Sequence, residues 1–419
     1  MPQDLQGWLE FIEQQHTRAI DLTLDRVVQV ASALGIAKSC PIITVGGTNG
    51  KGSTCMMLEA ILSAAGYRVG TYTSPHLLRY NERVRIAGSA AGDAALSEGF
   101  AAVERARGQV PLTYFEFGTL CAWAVFARAG VEALVLEIGL GGRLDAVNVF
   151  EPDCSVLTSV GIDHVEYLGP TREDIGWEKA HIFRPLRPAI CSDPDPPRTV
   201  LELADTMEAD LWLREQDFGC AGDGHQWRFW SRHGSRAGLA YPALRGESQL
   251  LNASAALAAL EALRDRLPVT AGDVRRGLSD VRLPARFQVL PGRPVVILDV
   301  AHNPEAASVL AANLDAMGAF PRTFAVIGML SDKDMEGVAR IIGPRVDRWF
   351  AGTLPGPRGA SADALAAAVE RGDGMTPIER HDSIDAAFAA ATGQARENDR
   401  IVCFGSFLTV AAILARAAH

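Results

Sequence analysis

The string Gly46-Gly47-Thr48-Asn49-Gly50-Lys51-Gly52-Ser53-Thr54 follows an apolar run and opens a segment with helical periodicity. Glycines at such a turn let backbone N–H groups close around phosphate, the helix N-terminus favours an anion, and Lys51 can reach the outer phosphates. A strict Walker pattern would need Gly at Val45 and a hydroxyl residue directly after Lys51, where Gly52 stands, so this is a variant phosphate loop. Further on, ALVLEIG runs into GLGGRLDA, which puts the Glu137 carboxylate at the C-terminal end of a strand, where open α/β sheets bind ligands. The spacing of the glycines there does not match GxGxxG, and a metal-binding carboxylate is the better reading of Glu137. His164, in GIDHVEYLG, would alone read as a surface histidine; beside Glu137 it becomes a candidate Mg²⁺ or Mn²⁺ ligand. Lys179 in WEKAHIF reads, on sequence alone, as a solvated helix charge. Arg286 with Asn252, and Asp299 with His302 in ILDVAHNPEA, are polar residues that could serve catalysis or cap the next helix. Asn303-Pro304 also fits an N-cap and first-turn pair, and both readings stay open.

These residues need a scaffold. From residue 41, short apolar runs (PIITVGG, YRVGTYTS, ALVLEIG, CSVLTSV) alternate with helical segments at 51–66, 94–107 and 113–130, the rhythm of a wound parallel sheet. Between 205 and 245 alternating Trp, Phe and Arg around Gly-Asp-Gly predict a β-hairpin excursion, followed by an Ala-rich helix over 252–265. LPARFQVLPGRP, 283–294, reads as a linker. VVILDVAHN, RTFAVIGML, DRWFAGTL and DRIVCFGSF then predict four strands of a second, smaller α/β domain. The expectation is an α/β protein with domains 1–283 and 284–419.

Composition narrows the function. Of 419 residues, 48% are hydrophobic and 21% charged, a folded rather than a disordered profile. Forty basic residues against fifty acidic ones give a net charge of −10, with no chain-wide basic field for nucleic acid. The N-terminus has no export signal and no apolar run approaches the ~20 residues that span a bilayer, so a cytoplasmic protein without a membrane partner is expected. Seven scattered cysteines without a CxxC pair read as buried thiols.

Taken in order, IDLTLDRV, GTNGKGST, TSPHLLRYNERV, TYFE, LEIGLGGRLDAVN, GIDHVEYLG, EKAHIFR, RFQ, DVAHNPEA, GMLSDKD and GSF resemble the Mur ligase superfamily, in its folylpolyglutamate synthase and dihydrofolate synthase branch, over roughly residues 8 to 410. The resemblance implies a Mg-ATPase domain and a smaller Rossmann-like domain, with the active site in the cleft between them and a monomer as the working form. It implies that Thr48, Asn49, Gly50, Lys51, Gly52 and Ser53 hold the ATP phosphates, with Lys51 also catalytic, and that Ser74, Glu137 and His164 ligate two Mg²⁺ ions, or Mn²⁺. The lysine matching Lys179 is carbamylated in the family, which reverses the solvated reading: CO₂ adds to a desolvated, neutral amine and makes an anion. Asn252, Arg286 and Asp299 would meet the nucleotide, His302 the incoming amine, and Ser406 the L-glutamate. Asp21, Leu22, Thr23 and Leu24, with Thr113, Tyr114, Phe115 and Glu116, and Leu144, Asp145 and Ala146, resemble the pterin-binding elements of bifunctional members, which act on dihydropteroate and on folates.

Other readings compete. A folylpolyglutamate synthase alone need not keep all three pterin elements. A cell-wall Mur ligase would carry a UDP-binding domain ahead of the loop, for which the residues before 46 leave no room. A P-loop kinase or ATPase would turn over ATP without an amino acid, and a nucleotide-binding interaction module would need no metal.

Overall fold

A computed structural model describes residues 2–16, 20–246, 248–374 and 376–417. The chain divides into two compact units, one built of residues 1–243 and 249–281 and the other of 244–248 and 282–419.

In the first unit the strands are β1 (Ile42–Gly46), β2 (Val69–Tyr72), β3 (Val84–Ile86), β4 (Ser89–Ala90), β5 (Ala133–Glu137), β6 (Cys154–Leu157), β7 (Pro188–Cys191) and β8 (Asp210–Leu213). They form one sheet in the order β4-β3-β2-β5-β1-β6-β7-β8. β1, β5 and β6 are buried at every position, which is why their sequences are continuous apolar runs rather than alternating ones. β2, β5, β1 and β6 run parallel, with Val45 opposite Glu137 and Gly46 opposite Leu157. Their C-terminal ends therefore share one edge. β1 is followed in sequence by β2 but lies between β5 and β6, so the strand order switches at that edge, where α/β sheets open a crevice.

The predicted hairpin excursion is larger than expected. β8 joins the main sheet beside β7, and β9 (Phe218–Gly222), β10 (Trp227–Ser231) and β11 (Gly234–Leu239) make a separate antiparallel sheet. The Ala-rich helix spans Ser248–Ala262, starting earlier than its composition suggested. The strands β3 and β4, of three and two residues, were too brief to stand out as apolar runs, and β7, which opens on Pro188 after a proline-rich stretch, also went unpredicted.

The second unit has a six-stranded sheet in the order β12-β13-β17-β14-β15-β16, where β12 is Gln288–Leu290, β13 Val295–Leu298, β14 Thr323–Ile327, β15 Arg348–Gly352, β16 Ile378–His381 and β17 Arg400–Phe404. All neighbours are parallel except β12 with β13. The expected linker thus contains an edge strand, the antiparallel β12, where its flanking prolines and glycine are tolerated. β16, with the polar sequence Ile-Glu-Arg-His, also went unpredicted. Each unit has its own core, around Trp8, Phe100, Phe117 and Phe126 in the first and Trp349, Phe404 and Ile327 in the second. The seven cysteines are unpaired thiols, all buried except the half-buried Cys220. Among the described residues no helix is long and apolar enough to cross a membrane.

Candidate active site

The phosphate loop leaves β1 at Gly46 and enters the helix Lys51–Ala64 through Gly50, which sits in the left-handed region at φ 87° and offers no side-chain cap. The first-turn N–H groups of that helix therefore have no intrahelical acceptor and face the loop side, a ready anion seat. A Cβ at position 50 would come within 2.5 Å of Asn252 Oδ1, so Asn252 lies directly against the loop.

The loop is strapped to the segment after β6. Thr48 N donates to Ser159 O at 2.8 Å, Gly161 N donates to Thr48 Oγ1 at 2.9 Å, and Asn49 N donates to Ser159 Oγ at 3.1 Å. Thr158 Oγ1 donates to Asn49 O at 2.6 Å. The Thr48 hydroxyl and the Thr48 and Asn49 amides are thus engaged within the fold. Sequence reasoning missed Thr158 and Ser159; they follow β6 in the quoted apolar run, but nothing local ties them to residue 48.

Two cations meet here. Lys51 Nζ donates to Gly47 O at 2.9 Å and Lys179 Nζ donates to the same oxygen at 3.1 Å. Lys179 is buried at 4% exposure, so it is not the solvated helix charge that the sequence alone suggested. Its helix, Arg172–Ala180, is fixed by a capping box at Thr171 and Asp174 and is tied to the GLGGRLDA turn, where Arg143 N donates to Glu178 O at 2.9 Å and the Arg143 guanidinium grips the Glu178 carboxylate.

Glu137 ends β5 at the shared edge and is buried; Ser74 N donates to its Oε2 at 3.0 Å, which brings two of the expected metal ligands together. His164 stands at the end of the strap, in the left-handed region at φ 53°, with Nε2 3.9 Å from Asp163 Oδ2. A carboxylate, a serine and an imidazole suit Mg²⁺ or Mn²⁺, which takes few protein ligands and completes its shell with phosphate oxygens and water. Among the described residues no group of three or more His, Cys, Asp or Glu side chains forms a metal cage.

The three expected pterin elements converge on one another. Arg26, which sequence reasoning did not single out, donates to Asp21 Oδ2 at 2.9 Å and to Glu116 Oε1 at 3.0 Å, joining the Asp21–Leu24 stretch to the start of the helix Tyr114–Ala129. Thr113 and Glu116 form that helix's capping box, so they also have a structural duty worth roughly 1 kcal/mol. The Phe115 ring lies on Gly139, where a Cβ would approach it to 2.4 Å. Asp145, between the half-buried Leu144 and the buried Ala146, accepts from Leu140 N at 2.8 Å and Val147 N at 2.9 Å. Burial pushes its carboxyl up to about 6, against those backbone hydrogen bonds and the Lys51 charge. His76 Nδ1 accepts from Arg83 Nε at 2.8 Å; burial and the Arg83 charge hold that imidazole down to about 4.

In the second unit Ala285 and Phe287 both take positive φ, 64° and 46°, on either side of Arg286. The Asp299 carboxylate holds this bend: Oδ2 accepts from Phe287 N and Oδ1 from Ala301 N, each at 2.8 Å. Burial raises its carboxyl, with the Arg286 charge acting the other way. His302 Nδ1 faces Val300 O at 2.8 Å, and Asn303 caps the helix Pro304–Ala316. Ser406 Oγ accepts from Thr409 N at 3.0 Å, a capping role, and the Arg286 guanidinium lies 5.7 Å from the ring of the adjacent Phe407.

Two family descriptions match: Mur ligase middle domain over residues 45–260, and Mur ligase, glutamate ligase domain over residues 285–407. The chain is 44% identical over 411 residues to the dihydrofolate synthase/folylpolyglutamate synthase of Escherichia coli strain K12, covering 98% of this chain and 94% of that protein. Among solved structures it resembles E. coli FolC in complex with DHPP and ADP, with a TM-score of 0.94 and 43% identity over 100% of this chain and 99% of that one. A bifunctional folylpolyglutamate synthase/dihydrofolate synthase with Mn, AMPPNP and L-glutamate bound gives a TM-score of 0.91 and 42% identity, covering 100% of this chain and 98% of that one.

Proposed function

The chain belongs to the Mur ligase family, and we propose that it joins the amine of L-glutamate to the carboxylate of dihydropteroate and to the γ-carboxylate of folyl-glutamates, at the expense of ATP. One observation carries this reading: the strapped phosphate loop with Lys51 and Lys179, and the wall made by Asp21, Arg26, Glu116, Phe115 and Asp145, are built on the same unit, and the GLGGRLDA turn touches both.

The chemistry follows from the leaving group. A carboxylate cannot expel oxide, so its oxygen first attacks the γ-phosphorus of ATP, the bond to the β-phosphate oxygen breaks, and an acyl phosphate forms with ADP leaving. The glutamate amine then attacks the acyl carbon, loses its proton, and phosphate departs. Lys51 and the first-turn N–H groups bind the phosphates and offset the charge that spreads over the transferring group. Ser74, Glu137 and His164 would hold Mg²⁺ or Mn²⁺, which when bound neutralises phosphate charge. Lys179 as a carbamate is part of the proposal. The amine is desolvated, as CO₂ addition requires, and the change would turn the cation beside Lys51 into its counter-ion. Arg286, Asp299, His302 and Ser406 are proposed to serve the nucleotide and the incoming glutamate. For Asp299 that includes fixing the bend that presents Arg286.

The test is phosphate release by the purified protein with Mg-ATP and L-glutamate, using dihydropteroate, tetrahydrofolate or no acceptor, with product masses. Turnover with both acceptors and a gain of one glutamyl unit is expected. Turnover with one acceptor narrows the reading to a single synthase, and ATP hydrolysis indifferent to acceptor and glutamate overturns it.

A further inference from the structure

We infer that Arg83 binds the second, non-reacting carboxylate of the folyl-glutamate acceptor and so sets apart the two acceptor activities; the inference rests on the ligase reading above.

Arg83 belongs to TSPHLLRYNERV, a motif in which only Ser74 has so far found a use. Its carbonyl accepts from Thr73 N at 2.9 Å, which fixes it beside the residue preceding Ser74. Its guanidinium carbon lies 5.5 Å from the ring centroids of both Tyr80 and Tyr114, and Nε donates to His76 Nδ1 at 2.8 Å. Tyr114 stands between Thr113 and Phe115 in the acceptor wall, so the guanidinium borders that wall.

What distinguishes this arginine is its company. Arg26, Arg85, Arg107, Arg143, Arg172 and Arg184 of the same unit each hold a carboxylate. Arg83 is half-buried like most of them, yet among the described residues no carboxylate lies within ion-pair distance of it. Aromatic faces and a ring nitrogen orient the planar fork without neutralising it, and such a fork is matched to a carboxylate from outside.

The two acceptors differ in this respect. Dihydropteroate has one carboxylate, and that group must attack phosphorus; gripping it in a guanidinium fork would withdraw the electrons it uses. A folyl-glutamate carries an α-carboxylate as well as the reacting γ-carboxylate. Arg83 therefore serves the acceptor with a carboxylate to spare.

The experiment compares wild type, R83Q and R83K of the full chain on dihydropteroate, tetrahydrofolate and tetrahydropteroyl-4-aminobutyrate, which keeps the γ-carboxylate and lacks the α one. R83Q is expected to raise KM for tetrahydrofolate about 10- to 100-fold, the scale of a lost charged hydrogen-bonded pair, with kcat little changed. R83K should recover part of the loss. KM and kcat for dihydropteroate should stay within about threefold, which also shows that the variant folds. The aminobutyrate analogue should bind wild type as weakly as tetrahydrofolate binds R83Q, and R83Q should add no further penalty. Equal losses on both natural acceptors, no loss on tetrahydrofolate, or wild-type use of the analogue as good as of tetrahydrofolate would each overturn the inference alone. Absence of glutamate-dependent turnover by wild type with any acceptor would sink the ligase reading, and this inference with it.

Discussion

The phosphate loop and the acceptor wall are both built on the first unit, but they are held by different means. The loop is fastened mainly by uncharged contacts from the segment Thr158 to Gly161, whose position follows from the parallel register of β1 and β6, with the two lysine amines adding hydrogen bonds to Gly47 O. Two of the wall's three parts are joined by one charged side chain: Arg26 ties Asp21 to Glu116, which lies ninety positions beyond Arg26 in the chain. Geometry inherited from a buried sheet survives the loss of a side chain, because many backbone hydrogen bonds share the constraint. Geometry that depends on one ion pair does not, since a single change both opens the link and leaves a buried charge unpaired.

The largest effect should come from the chemistry the loop serves in common. Lys179→Gln leaves an unbranched polar side chain, one atom shorter than lysine, that can carry neither a charge nor a carbamate. We expect kcat to fall about a thousandfold with dihydropteroate and with tetrahydrofolate alike, a loss of the size seen when a charge-stabilising group is removed, while both acceptor KM values stay within a few-fold. Carbon-13 NMR in labelled bicarbonate should show a carbamate signal in wild type that the variant lacks. A loss confined to one acceptor would break the division between a shared loop and a selective wall.

Next in size is Arg26→Gln. Glu116, buried and still accepting from Thr113 N, loses its cation, so stability should drop by about 2 kcal/mol in urea titration. KM for both acceptors should rise about tenfold or more, with KM for ATP within about twofold. Pairing the change with Glu116→Gln should recover stability but not affinity. If ATP binding weakens as much as acceptor binding, loop and wall are one mechanical unit and the comparison fails.

The same contrast explains what the sequence made legible. The loop was readable because its parts are contiguous: an apolar strand, four glycines, one lysine and a helix start impose their geometry within the eleven residues from Ile42 to Gly52. Glu137 was readable because a strand end in a parallel sheet is a position that periodicity can locate. Lys179 was readable only through the family resemblance, since its spacing on a helix looks like that of any solvated charge and only tertiary packing buries it. Arg26 was invisible for the reason that makes it vulnerable: its two partners lie in segments that meet only after folding. In the second unit β12 was hidden because an edge strand tolerates the proline and glycine that mimic a linker. Asn303 did resolve into the cap that its pairing with Pro304 allowed.

The smallest expected effect is a pH dependence, and its sign separates binding from stability at one residue of the wall. Burial raises the Asp145 carboxyl to about 6, well above the ~3.9 of an unfolded chain. The native state therefore holds this proton more tightly than the unfolded state. Through the window from about pH 4 to 6 the contribution of Asp145 to stability falls as pH rises, and its cost is fully present above pH 6. Acceptor binding should run the other way. A pterin donates N–H groups, so it needs the ionised carboxylate, and KM for dihydropteroate should climb up to about tenfold between pH 7 and pH 5. Asp145→Asn removes the titration: its KM profile should be flat over that range, and its melting temperature should gain on wild type as pH rises from 5 to 7. Parallel profiles for the two proteins would mean that Asp145 is set by its backbone donors Leu140 and Val147 alone and that the pterin is recognised elsewhere on the wall.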